Sequence, residues 1–97
     1  MKWLITGGTG FIGTELVRYL QARKQDLTLL SRRAVPGPGA VLGDLAEMPP
    51  PLGDGEYETV CHLAGLARRP WRTSAREYDR MNLEGTRNLL RALDRLP

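Results

Sequence analysis

Thr6-Gly7-Gly8-Thr9-Gly10-Phe11-Ile12-Gly13 is the stretch that decides the fold. It satisfies G-x-G-x-x-G through Gly8, Gly10 and Gly13, and G-x-x-G-x-x-G through Gly7, Gly10 and Gly13. Before it, residues 2–6 (KWLIT) form a short apolar run that reads as a buried strand. After it the period changes. Ile12, Leu16 and Leu20 recur every fourth residue, Val17 widens the stripe, and Glu15, Arg18 and Gln21 are polar. That pattern predicts an amphipathic helix of about three turns. Strand, glycine turn and helix in direct succession are the setting in which such glycines hold a dinucleotide. The first glycine permits the tight turn, the middle one lets backbone approach a pyrophosphate, and the last lets the helix pack closely on the sheet. The helix N-terminus offers unpaired N–H groups and partial positive charge to the phosphates. No Gly-Lys-Ser/Thr follows, which excludes a P-loop.

The rest of the chain continues the alternation, without an internal repeat. Residues 27–30 read as a second apolar strand closed by Ser31-Arg32-Arg33, residues 35–39 as a Pro- and Gly-rich loop, and residues 40–43 as a third strand before Asp44. Consecutive prolines at 49–51 allow only a brief helical turn. Residues 59–64 form a near-continuous apolar run, suited to a parallel sheet covered on both faces. Ser74-Ala75-Arg76-Glu77 is a capping box. It opens a helix with Tyr78, Met81, Gly85, Leu89, Leu93 and Leu96 on one face and Arg76, Arg80, Arg87, Arg91 and Arg95 opposite. Asp79, Glu84 and Asp94 are interleaved with those arginines, so local ion pairs are available. The order predicts an α/β fold with right-handed parallel βαβ units.

Composition narrows the function. The 97 residues allow one small domain, and 41% apolar with 26% charged residues reads as soluble and globular. One Cys, Cys61, forms no internal disulfide and suits a reducing, cytoplasmic setting. Cys61 reads as a small core residue, and one Cys with one His, His62, cannot fill a zinc shell, so no metal is expected. No apolar run nears the ~20 residues of a membrane span. Fourteen basic against 11 acidic residues give only +3, and Trp71 alone sits among arginines, so no nucleic-acid partner is expected.

About 20 residues beyond the glycines, an Asp or Glu would hold the ribose hydroxyls of NAD. This chain has Ser31-Arg32-Arg33 there. A guanidinium takes the 2′-phosphate of NADP in a bidentate pair, so NADP(H) is preferred and NAD(H) is the alternative; solvated loop arginines are the bland reading.

Residues 6–13, Gly43-Asp44-Leu45, His62-Leu63-Ala64-Gly65 and Asn82-Leu83-Glu84-Gly85-Thr86-Arg87-Asn88-Leu89-Leu90 together resemble the extended short-chain dehydrogenase/reductases, the NAD(P)-dependent epimerase/dehydratase proteins. The resemblance covers nearly the whole chain. It implies that Gly7, Gly10, Phe11 and Ile12 cradle the pyrophosphate, with Thr9 in the same turn and Ser31, Arg32 and Arg33 at the adenosine ribose. It also implies that Asp44 and Leu45 contact adenine, and that Leu63, Ala64 and Gly65 line the ribose side of the cleft. Asn82 matches the helix Asn that helps organise the catalytic centre. Each position has a plainer reading: Asp44 as a turn cap, His62 as a packed, hydrogen-bonded strand residue, Asn82 as a polar helix position.

The chain departs from that family in one respect. The family's Tyr-x-x-x-Lys pair is missing: Arg23 follows Tyr19, Cys61 follows Tyr57 and Asn82 follows Tyr78 at the fourth position. No catalytic residue is therefore assigned, and the chain by itself is expected to be inactive. The expectation is the N-terminal part of an NAD(P)-binding Rossmann domain over residues 1–97. This would be a partial, doubly wound parallel sheet of four strands in order 3-2-1-4 with flanking helices, lacking the C-terminal strands and substrate domain. The whole would act as an oxidoreductase, epimerase or dehydratase on a nucleotide sugar or related substrate. The fourth strand and last helix would meet the remainder of the enzyme or a second chain. Trp71 would lie towards the substrate side or cap apolar surface. The alternative is a non-catalytic NADP(H)-binding module with a partner-binding helix.

Overall fold

A computed structural model gives the fold, described for residues 2–33, 39–53, 55–65 and 74–96. The residues expected to form the loop at 35–38, and Trp71 in the loop before the last helix, lie outside the described residues. Four apolar runs become four strands: β1 (Lys2–Thr6), β2 (Asp26–Ser31), β3 (Gly39–Leu42) and β4 (Thr59–His62). All pairs are parallel and the order is β3-β2-β1-β4, a partial Rossmann sheet as the sequence predicts.

β1 is central, and its alternation builds both sides of the core. Leu4 points into a cluster with Leu30, Leu45, Leu52, Leu89 and Ala92, while Ile5 joins Leu20, Leu27 and Leu29 on the other face. Both side chains are fully buried. Successive residues of a strand face opposite ways, so one pair of large aliphatics joins two layers. Each fully buried Leu or Ile contributes roughly 1.5–3 kcal/mol.

The first cluster is closed by the last helix and the second by α1 (Phe11–Ala22). Of the predicted stripe on α1, Leu20 is buried and Leu16 and Val17 pack partly, but Ile12 is 67% exposed. Phe11 is 93% exposed beside it. Both lie on the first turn of α1, ahead of the Leu16, Val17 and Leu20 side chains that pack on the cluster.

The last helix starts where the capping box places it. Ser74 Oγ accepts from Glu77 N at 3.2 Å and opens α2 (Ala75–Tyr78). The helix then widens into a π-helical segment (Asp79–Glu84) before continuing as α3 (Gly85–Asp94). Leu89 is buried as expected, and Leu93 and Leu96 are partly so. Arg87 pairs with Glu84 at 2.8 Å on the outer side. β4 is shorter than its apolar run, because Leu63 and Ala64 leave the ladder after His62. Its four residues are half-buried, and β1 is its one strand neighbour among the described residues.

Candidate functional site

Because every strand runs the same way, the segments after β1, β2, β3 and β4 converge on one edge of the sheet. These segments are the glycine turn, Ser31-Arg32-Arg33, Gly43-Asp44-Leu45 and Leu63-Ala64-Gly65. β1 lies where the chain reverses direction across the sheet, between β2 and β4. In open parallel sheets ligands bind at that crevice, beyond the carboxyl ends of the strands. A depression of about 370 Å³ lined by Lys2, Glu56, Tyr57 and Glu58 lies at the opposite end and brings none of these segments together.

Each motif glycine answers a different steric demand. Gly7 has φ +72, a left-handed conformation, and a Cβ there would sit 2.6 Å from the Ala64 nitrogen and the Leu63 carbonyl carbon. Gly13 is tighter: its Cβ would lie 2.1 Å from the Gly7 oxygen and 2.8 Å from Gly8 Cα. Gly10 is open, with the Gly7 oxygen at 3.4 Å as the one atom near its missing Cβ. The spacing that matters is therefore Gly7, Gly10, Gly13. Gly8 would meet only the Leu29 and Val17 side chains, at 3.3 Å and beyond.

Gly10 caps α1 without a side-chain hydrogen bond, and no acidic residue occupies the first turn. Thr14 N is the first amide to bond back, to Gly10 O at 2.9 Å. The amides of Phe11, Ile12 and Gly13 therefore precede the first intrahelical bond and carry the positive end of the helix. An open backbone surface at Gly10 beside three such donors fits a pyrophosphate.

At the end of β2, Ser31 Oγ donates to Arg33 O and accepts from Arg33 N at 3.2 Å. This turn presents Arg32 and Arg33 exposed, and neither has an ion-pair partner among the described residues. At the end of β3, Asp44 Oδ1 accepts from Ala46 N at 3.0 Å, so Asp44 caps the turn. Leu45 is 4% exposed and its carbonyl accepts from Asn88 Nδ2 at 2.7 Å. Its side chain belongs to the core, which leaves only backbone at this position for a ligand.

After β4, Leu63 is partly exposed and Gly65 exposed, and Leu63 N donates to Thr6 O at 3.1 Å. A Cβ on Gly65 would lie 2.9 Å from Asn82 Oδ1, so the π-helical segment delivers Asn82 to this same loop. Thr9, Gly10, Phe11 and Ile12 are exposed on the turn. Glycine turn, β4 loop and Asn82 thus form one group, with the β2 and β3 turns along the same edge.

Three residues behind this edge were given no role by the sequence: Thr6, Thr86 and Asn88. Asn88 is 6% exposed and Thr6 fully buried. Thr6 pairs with His62 across β1 and β4, and its Oγ1 lies 2.5 Å from His62 Nδ1. His62 Nε2 lies 3.0 Å from Thr86 Oγ1. The plainer reading of His62, a packed and hydrogen-bonded strand residue, is what the structure shows. Burial pushes its pKa below the ordinary histidine value. A polar strand residue directly before a glycine turn was the one available signal for Thr6.

The sequence profile of the NAD dependent epimerase/dehydratase family matches residues 3–97. The human epimerase family protein SDR39U1 is 37% identical over 99 aligned positions, spanning 100% of this chain and 33% of that protein. Its crystal structure with NADPH superposes with a TM-score of 0.74 at 38% identity, covering 100% of this chain and 33% of the other. MoeE5, solved with UDP-glucuronic acid and NAD, gives a TM-score of 0.74 at 34% identity, covering 95% of this chain and 32% of that one. The chain thus spans about a third of the length of these relatives, 33% for human SDR39U1. With strand order, glycine geometry and profile in agreement, the chain belongs to the NAD-dependent epimerase/dehydratase family.

Proposed function

We propose that residues 1–97 are the N-terminal, cofactor-binding part of an NAD(P)-dependent oxidoreductase, epimerase or dehydratase that prefers NADP(H) and acts on a nucleotide sugar or related substrate. The observation that carries this reading is the open backbone at Gly10, set against the unbonded first-turn amides of α1. Gly7, Thr9, Gly10, Phe11 and Ile12 hold the pyrophosphate, and Leu63, Ala64 and Gly65 line the ribose side of the cleft. Asp44 and the Leu45 backbone face adenine. The bound nicotinamide supplies hydride chemistry; these residues bind and orient it. No Tyr-x-x-x-Lys occurs in the chain, so the general acid/base comes from outside these residues. Substrate preference rests on likeness to MoeE5, whose structure holds UDP-glucuronic acid.

Calorimetric titration with NADPH and NADH tests the reading, and absence of heat with both refutes it. The exposed Arg32 carries the preference for NADPH by pairing with the 2′-phosphate. Arg32→Ala is expected to weaken NADPH binding roughly 10- to 150-fold, equivalent to about 1.5–3 kcal/mol, while leaving NADH unchanged. Arg33→Ala is expected to act in the same direction and less. Equal losses for both cofactors would place the Arg32 guanidinium elsewhere.

A further inference from the structure

We propose that His62, held as the neutral Nε2–H tautomer, is a positioning residue that braces the glycine turn against the Asn82-bearing helix and makes dinucleotide affinity fall in acid. The proposal rests on the dinucleotide reading above and deepens it.

The tautomer follows from counting protons. Thr86 Oγ1 lies 2.7 Å from Asn82 O, and a carbonyl only accepts, so the single hydroxyl proton of Thr86 is committed there. His62 Nε2, 3.0 Å from the same oxygen, must therefore be the donor. In a neutral ring Nδ1 is then bare and accepts the Thr6 hydroxyl at 2.5 Å. Thr6 Oγ1 keeps a lone pair for Ala64 N–H, at 3.1 Å. The result is a directional chain: Ala64 N–H to Thr6, Thr6 to His62, His62 to Thr86, Thr86 to Asn82 O. Each hydroxyl polarises the next bond in the same sense.

A second proton breaks this chain at one point. Nδ1 becomes a donor facing Thr6 Oγ1, and the Thr6 hydroxyl proton loses its acceptor. Thr6 is fully buried, so no bulk water stands in for it. Gly7, the next residue, packs its backbone on Ala64 N and Leu63 so tightly that not even a methyl fits. To find that proton a new acceptor, Thr6 must turn or shift, its contact with Ala64 N–H shifts with it, and the turn that would receive the pyrophosphate moves too.

Among the described residues no neighbouring charge offsets this. On β1 the charged residue is Lys2, at the far end, where it pairs in register with Asp26. On β4 and its lead-in, Glu58 also lies at that far end, bonded through its amide to Lys2 O. On the helix, Arg80 pairs with Glu47 and Arg87 with Glu84, and Asp79 stands on the exposed side. Among the described residues none of these pairs with His62. Burial alone sets the direction of its shift, downward. A lowered value means the neutral brace is complete above about pH 6.5, the ordinary histidine value, and is lost as pH falls through the folded-state value.

The test uses NAD+ as probe, because the 2′-phosphate of NADP+ itself titrates near pH 6. Calorimetry from pH 8 to pH 5 is expected to show NAD+ affinity falling, with a limiting slope of about tenfold per pH unit for one coupled proton. His62→Gln and His62→Asn, which do not titrate, are expected to give flat profiles. Nitrogen NMR of the wild-type imidazole at pH 7.5 is expected to show Nε2 protonated and Nδ1 bare, with or without cofactor. A flat wild-type profile, a slope that survives in both variants, or an Nδ1–H tautomer overturns the proposal. So does affinity that rises in acid, as direct attraction between imidazolium and pyrophosphate would give. If NAD+ fails to bind at pH 8 while the tautomer is Nε2–H, the dinucleotide reading falls and takes the positioning role with it. A wrong tautomer with NAD+ bound removes His62 alone.

Discussion

Gly10→Ala is expected to fold normally and bind NADPH poorly, whereas Gly13→Ala is expected to be severely destabilised. Gly10 has φ −78 and ψ −178, a conformation alanine adopts freely, and its new methyl would find only the Gly7 oxygen, at 3.4 Å. Stability is therefore expected to change by no more than about 0.5 kcal/mol, with the lost chain freedom of glycine acting in its favour. On the proposed reading the methyl instead occupies the surface where the pyrophosphate would approach backbone. Losing one charge-assisted hydrogen bond there corresponds to about 1.5–3 kcal/mol, or roughly 10- to 150-fold in Kd. Gly13→Ala meets three backbone atoms, the Gly7 oxygen at 2.1 Å, Gly8 Cα at 2.8 Å and the Gly7 carbonyl carbon at 2.9 Å. Backbone in a turn has no rotamer to retreat into, so α1 must lift from the sheet. The expected loss exceeds about 4 kcal/mol, a large part of the 5–15 kcal/mol that holds a domain. Urea unfolding followed by circular dichroism measures the second effect, and calorimetry the first. Gly10→Ala with unchanged NADPH affinity would show that the pyrophosphate does not lie over this turn.

The fold was legible because its determinants are local. Four apolar runs, one glycine motif and a capping box specify four strands and two helical regions, and the handedness of parallel crossovers supplies the order. The candidate site was legible where backbone geometry demands glycine, as at Gly7 and Gly13. It was not legible where packing assigns the role. Periodicity placed Ile12 in the core, whereas in the fold the stripe packs only from Leu16 onward. The π-helical segment shifts the hydrogen-bond ladder without any marker residue, yet it sets Asn82 beside Gly65. Asn88 lies beside the apolar stripe in the sequence; in the fold it is buried with its Nδ2 on the Leu45 carbonyl. Leu45, expected beside adenine, has its side chain in the core and offers only backbone at the sheet edge.

Thr6→Val is expected to destabilise the protein by about 2–4 kcal/mol, and Thr6→Ser by clearly less. Valine keeps the shape of threonine and removes the hydroxyl, which leaves Ala64 N–H and His62 Nδ1 without their partner. A buried polar group deprived of its partner costs about 1–3 kcal/mol. In a domain of about 60–100 residues each kcal/mol lowers Tm by roughly 4–8 °C, so a drop of ten degrees or more is expected in thermal unfolding. Serine does the reverse: it keeps the hydroxyl and deletes a methyl, opening a small cavity worth about 1 kcal/mol. The two variants therefore separate the two things a fully buried Thr6 could contribute. If packing at the centre of the sheet dominates, valine is the milder change and serine the harsher. If the hydroxyl links β1 to β4 and, through His62, to α3, the order inverts. Serine above valine supports the link, and valine above serine would reduce Thr6 to a filler of space.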